Sequence, residues 1–275
     1  MKGTLNLILA LPAEASPIIR YFNLQLIISE PYKIYTNHNN TIRLVLSGIG
    51  KLHANKAVSN IEKESGSKKS QAWLNIGIAG HLKRPIGSMV AAHKITDKVS
   101  NRSWYPPMII DFPCDTGSIL TVDEETQNYP DEELVEMEAA GFYSAAEVFS
   151  SHELIHCLKL ISDNSVEKNF DGKSVKRMIE KQCGNIELIV NQLLQLSSRL
   201  QELEAPSPKL NEFLINWHFS VTQKYELEKI LRRWSLVLPN KDPFNIVNDK
   251  WKISKDVILA LRNELKDAPM DATSL

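Results

Sequence analysis

Apolar residues along the first two-thirds of the chain gather into short, nearly unbroken runs. They are LNLILAL at 5–11, IRLVLSG at 42–48, AWLNIGIAG at 72–80, GSMVAAHKI at 87–95, GSILTV at 117–122 and HELIHCLKLIS at 152–162. Runs of that length with little polar alternation predict strands buried on both faces. Stretches with helical spacing lie between several of them, at 51–64 and 138–149. Strand, helix and strand in succession predict an α/β fold in three layers, a mixed, mainly parallel sheet flanked by helices.

A longer helical pattern follows at 174–203, with Ile179, Ile186, Ile189, Val190, Leu193 and Leu194 near helical spacing. EAPSPKL at 204–210 carries two prolines and marks a linker. The expected division is therefore an α/β domain over 1–204 and a C-terminal helical extension over 205–275. Within the extension, 211–238 and 254–266 predict two amphipathic helices with Trp217, Trp234 and Trp251 as their packing core. The closing MDATSL is expected to fray.

Composition narrows the class. The chain has 275 residues, 43% hydrophobic and 24% charged, the totals of a soluble globular protein. A formal net charge of -1 gives no electrostatic reason to expect nucleic acid or an anionic membrane as partner. Cys114, Cys157 and Cys183 are far apart and form no CxxC pair, which argues against a zinc site or disulfide framework and fits a reducing cytoplasm. The N-terminus MKGTLNLILALPAEA can be read two ways. A lysine, an apolar run and Ala13-Glu14-Ala15 imitate a secretory leader, but Leu5 to Leu11 is short, contains Asn6 and reads as a buried strand ending at Pro12. No other run approaches the ~20 apolar residues that span a bilayer.

A doubly wound sheet binds ligands beyond the carboxyl ends of its strands. Glu14 follows the first run. Ser47, Gly48 and Gly50 follow the second, where glycines let a backbone approach closely before a helix. Ala79 and Gly80 end the third run, Val122 and Asp123 the fifth, and Ser162 and Asp163 the last; Glu136, Met137 and Glu138 sit where a strand passes into a helix. Three well-separated acids, Glu14, Glu138 and Asp163, thus converge on one edge of the sheet. Each also has a plainer reading: Glu14 and Glu138 complement helix dipoles, Asp163 caps a turn, and Met137 belongs to the core. The glycine loop lacks the full GxxxxGK[ST] and GxGxxG patterns, which excludes nucleoside triphosphates and dinucleotides. His53, His81 and His93 are scattered, so neither a metal nor a cofactor is expected.

LALPAEA, SGIGK, NIGIAG, PIGSMV, VEMEA and ISD occur in the order found in the nucleoside phosphorylase/nucleosidase superfamily. Over roughly residues 3 to 203 the chain resembles the bacterial methylthioadenosine/S-adenosylhomocysteine nucleosidases and related nucleoside hydrolases. The resemblance implies a hydrolase of the N-glycosidic bond of a purine nucleoside or 5′-substituted adenosine. In that family Glu138 would accept the ribose hydroxyls, with Met137 against the sugar. Asp163 would protonate the departing base and Glu14 would take a proton from the attacking water. Ser47, Gly48, Gly50, Lys159 and Ile78 would position the nucleophile or an anion, and Ala79, Gly80, Val122 and Ser162 would hold the base. Glu136 receives no role and is expected to face solvent or a helix end. A homodimer or larger homo-oligomer is also implied, the partner completing the 5′ side of the pocket.

The chain departs from the family pattern in four places. Ile78 stands where the hydrolases have a hydroxyl residue, His81 where they have a second glycine, and Lys159 where they have an arginine whose bidentate fork a lysine lacks. The segment after Asp123 is short, with Glu125 and Thr126 in place of an apolar clamp and Tyr129 as a possible substitute. The phosphorylase is the nearest catalytic variant, although LPAEASP lacks the glycine/arginine phosphate motif of hexameric relatives. The competing class is a non-catalytic nucleoside-binding protein on the same fold. The trio of acids favours the enzyme, and Ile78 with the altered base segment favours the binder.

Overall fold

The computed structural model describes residues 2–65, 69–126, 128–167, 171–204, 207–247, 251 and 253–268. Part of the expected EAPSPKL linker and all of MDATSL lie outside them. The chain separates into two compact units, Met1–Glu202 and Leu203–Leu275.

The first unit runs β1 (Leu5–Leu9), α1 (Pro12–Tyr21), β2 (Gln25–Ile28), β3 (Ile34–Thr36), β4 (Ile42–Leu46), α2 (Lys51–Ser65), β5 (Ala72–Gly80), β6 (Met89–Asp97), β7 (Ser103–Trp104), β8 (Asp115–Thr121), β9 (Glu133–Glu136), α3 (Ala139–Phe149), β10 (Ile155–Asp163) and α4 (Gly172–Glu204). Among the described residues these strands form one mixed sheet. Its centre, β4-β1-β5-β10, is parallel throughout. β3 and β2 extend it antiparallel on one side. On the other side β10, β6, β8 and β9 return to β5, so five strands close on themselves.

Two cores lie on opposite faces of this sheet, as three layers require. In β1, Leu5, Leu7 and Leu9 face α1 and α4, packing with Ile18, Ile179, Ile186 and Leu193. Ile8 points the other way, toward Ala54, Ala57 and Val58 of α2 and Phe142 and Ala146 of α3. The period-2 alternation of strand side chains thus survives inside an apparently continuous apolar run, because both faces are covered. The expected strands stand, with ends shifted by a few residues. β2, β3 and β7 lie outside the apolar runs; β2 is an edge strand whose Leu26 and Ile27 are exposed.

The second unit contains α5 (Leu210–Asn216), α6 (Val221–Val237) and α7 (Ser254–Asp267) around Phe213, Leu227, Leu231, Trp234 and Leu261. The expected tryptophan core is present: Trp234 is buried, and Trp217 and Trp251 pack against it from the edge of the cluster. The single helix expected over 211–238 is two. Ser220 breaks it by starting a new N-terminus, accepting a hydrogen bond from Gln223 N at 3.3 Å while the Gln223 side chain accepts from Ser220 N at 2.9 Å. This S-x-x-Q capping box is legible in the sequence.

Candidate active site

The carboxyl ends of β1 and β10 and the junction between β9 and α3 bring Glu14, Asp163 and Glu138 to a single cavity of ≈ 180 Å³. Ala10, Leu11, Ile49, Ile78, Ala79, Gly80, Val122, Tyr129, Met137 and Ser162 also line it. The four expected base-side residues, the expected sugar-side Met137 and the three acids therefore share one space.

Glu14 sits in the first turn of α1 and is 2% exposed. Its Oε2 accepts from Ala10 N at 3.0 Å and Leu11 N at 2.8 Å, and its Oε1 accepts from Ile78 N at 3.1 Å. The helix-end reading of Glu14 holds, since the carboxylate accepts from the cap amide of Leu11 and from Ala10 just before it, and the same side chain lines the cavity. Burial pushes its carboxyl up, against the Leu11 amide and the charge of Lys159, which favour the anion. Glu138 precedes α3, and its Oε1 accepts from Gly50 N at 2.7 Å. Burial raises Glu138 to about 7, helped by Glu136 and opposed by Lys159. A carboxyl so raised is poised near neutrality.

Of its two expected positions, solvent or a helix end, Glu136 takes the helix end. It is 5% exposed and fully engaged: Oε1 accepts from Thr121 Oγ1 at 2.6 Å, and Oε2 accepts from Glu138 N at 2.9 Å and Ala139 N at 2.8 Å. Lys159 Nζ lies 2.8 Å from the same Oε2. Glu136 therefore both caps α3 and neutralises a buried lysine.

The expected nucleophile-positioning set is only partly assembled. Of its members only Ile78 lines the cavity, and its amide is held by Glu14. Ser47 is buried and donates to Gly48 O at 2.9 Å and Leu9 O at 3.3 Å; Gly48 beside it shapes the turn, with φ +84. The N–H of Gly50 is committed to Glu138, and Lys159 is committed to Glu136. Gly50 and Lys159 thus hold acids, and the Ser47 hydroxyl is spent on main-chain carbonyls. His81 likewise has a structural post, its Nδ1 accepting from Lys83 N and Arg84 N, both at 3.0 Å.

At the end of β10, Asp163 is 2% exposed. Ser162 Oγ donates to its Oδ1 at 2.5 Å, and the Tyr129 hydroxyl donates to its Oδ2. Among the described residues no cluster of His, Cys, Asp and Glu is arranged to hold a metal ion, and no helix is long and apolar enough to cross a membrane.

The sequence matches no family model and no curated protein. Solved structures do match. A 5′-methylthioadenosine/S-adenosylhomocysteine nucleosidase from Helicobacter pylori, crystallised with butyl-thio-DADMe-Immucillin-A, aligns with 18% identity and a TM-score of 0.57 over 69% of this chain and 98% of its own. Futalosine hydrolase of Helicobacter pylori gives 17% identity and a TM-score of 0.57 over the same shares, 69% and 98%. A 5′-methylthioadenosine/S-adenosylhomocysteine nucleosidase from S. pneumoniae, with the transition-state inhibitor MT-ImmA, gives 18% identity and a TM-score of 0.54 over 69% of this chain and 98% of its own. At such identity a likeness speaks to architecture, and the first unit of this chain has the fold of the nucleoside phosphorylase/nucleosidase superfamily.

Proposed function

We propose that this chain is an N-ribosyl hydrolase that cleaves the glycosidic bond of a purine nucleoside or 5′-substituted adenosine. Asp163 protonates the departing base, so that it leaves neutral. Glu14 takes the proton of the attacking water. Glu138, acceptor-only when ionised, receives the ribose hydroxyls, and Met137 packs on the sugar. Glu14 is bonded to Ile78 and Asp163 adjoins Gly80, two residues further along β5. That offset of two strand residues, about 7 Å of rise, supports separate roles for the two carboxyls.

The observation that carries the hydrolytic reading is the charge of the lining. Five carboxyl residues line the cavity, namely Glu14, Glu125, Glu136, Glu138 and Asp163, and the described lining includes no Lys, Arg or His. Lys159 beneath the site is paired with Glu136, so the described lining offers no cation to hold a phosphate dianion, while its carboxylates favour the cationic sugar that forms as the glycosidic bond breaks. The nucleosidases and futalosine hydrolase of the same fold support the same direction. A second reading, a nucleoside-binding protein without turnover, draws on Ile78 and on the hydrogen bond that covers Asp163. The three free cysteines fit a reducing cytoplasm. A homodimer is part of the proposal, since Ile49 at the cavity and nearby Leu52 on α2 are 53% and 62% exposed; sedimentation at micromolar concentration tests it.

The experiment is release of free base from adenosine, inosine, methylthioadenosine, S-adenosylhomocysteine and futalosine, with and without phosphate. Turnover independent of phosphate is expected. A strict phosphate requirement overturns the hydrolase in favour of the phosphorylase. Binding of these nucleosides without release supports the second reading.

A further inference from the structure

The base side of the cavity already has an occupant. Tyr129, in the connection between β8 and β9, is 8% exposed and packs with Val122 and Val135. Its ring lies so close over Gly80 that a Cβ built there would overlap it; the same Cβ would lie 2.8 Å from Asp163 Oδ2. The hydroxyl at the ring's end donates to that oxygen. With Ser162 on Oδ1, each oxygen of the candidate acid already accepts a hydrogen bond. A flat aromatic body with a donor aimed at Asp163 is the shape and polarity that a purine presents when a ring nitrogen carries a proton. Burial and the neighbouring Asp163 push the Tyr129 phenol up, which keeps it protonated and able to donate near neutral pH.

We propose that Tyr129 is a built-in stand-in for the base: it fills the base subsite of the free protein, and an incoming base reaches Asp163 only by displacing this side chain. The inference rests on the nucleosidase reading and makes Tyr129 specificity-determining. A ligand that binds only the form with Tyr129 withdrawn has its affinity reduced by the rarity of that form. Bases that return a donor to Asp163 recover the lost hydrogen bond. Ligands that can neither donate to the Asp163 carboxylate nor accept a hydrogen bond from its protonated form leave it short of a partner and are rejected.

The test is calorimetric binding of adenine, and separately of hypoxanthine, to the full chain and to Tyr129→Phe, Tyr129→Ala and Asp163→Asn. Tyr129→Phe keeps the packed ring and loses only the competing donor, so it is expected to bind base about tenfold more tightly. Tyr129→Ala also removes the ring and is expected to gain at least as much, provided its melting transition stays cooperative; the phenylalanine variant decides if it does not. Equal or weaker binding by Tyr129→Phe, with binding still reduced by Asp163→Asn, overturns the stand-in and leaves the nucleosidase reading in place. Failure of both bases to bind any of the four proteins overturns the two together.

Discussion

Lys159 and Glu136 form an ion pair of 2.8 Å beneath the candidate site, each side chain only 1% exposed. Burial alone would depress Lys159, but Glu136, with Glu138 behind it, outweighs that and holds the ammonium above its ordinary value. The same ammonium favours the ionised forms of Glu14 and Glu138. One buried cation thus offsets three carboxylates packed around one strand end.

Removing one member of a buried pair leaves the other charged and unpartnered. Lys159→Met is therefore expected to cost about 3–5 kcal/mol. The double variant Lys159→Met with Glu136→Gln recovers much of that loss, although the glutamine keeps only part of the α3 cap. Urea unfolding of the four proteins of this cycle measures the coupling. Additive losses would mean the pair is not coupled as its geometry requires.

Glu138 sets a pH dependence of stability. Its folded pKa, about 7, is above the ordinary 4.5, so the folded chain binds the proton more tightly than the unfolded one. The contribution is fully present below about pH 4.5 and is lost as pH rises through about 7, by up to about 3 kcal/mol. Glu138→Gln is neutral throughout and is expected to flatten this descent and melt higher than the parent at pH 8. Glu14, also raised, retains part of the slope in the variant. Melting temperatures from pH 4 to pH 8 decide, and parallel curves would show that Glu138 is ionised at no unusual cost.

Asp163→Asn keeps the size of the side chain and most of its hydrogen-bonding positions but removes the transferable proton. Base release is expected to fall by at least about a thousandfold while nucleoside affinity stays within about tenfold. Stopped-time assays of free base, set beside equilibrium binding of the same nucleoside, separate the two effects. Turnover comparable to the parent would take the acid's role away from Asp163.

Glu14 and Asp163 were legible in the sequence because they lie just beyond long apolar runs that become central parallel strands, and Glu138 because it sits where the short Leu134-Val135 stretch passes into a helix. Glu136 was not. Its orientation depends on which face of β9 it occupies, and its partner Lys159 lies 23 positions away on β10, a pairing no local pattern encodes. The same limit hid the posts of Ser47 and Gly50, whose residue types suited an anion loop equally well. β2 and β3 lack such runs for a different reason: β2 is an edge strand whose exposed Leu26 and Ile27 leave no burial pattern to read, and β3 is only three residues long, Ile34–Thr36. Tyr129 was visible as an aromatic in the right segment, but its bond to Asp163 required the fold.

Gly50 offers the last test, because its backbone conformation and its function can be separated from packing. It has φ +100, and a Cβ added there meets no heavy atom within 4 Å. Gly50→Ala therefore creates no clash, and its cost is that of placing an L side chain at a positive φ, about 1–2 kcal/mol. Relaxing that strain turns the peptide whose N–H donates to Glu138 Oε1. The variant is expected to lose stability by that amount and to lose kcat/KM several-fold beyond it, as Glu138, the proposed ribose acceptor, loses its anchor. Gly184 lies inside α4 and likewise meets nothing within 4 Å, but has no positive φ, so Gly184→Ala is expected to gain about 1 kcal/mol. Thermal melts and nucleoside turnover of both variants make the comparison; equal behaviour of the two would show that the turn at Gly50 imposes no conformational demand and does not hold Glu138.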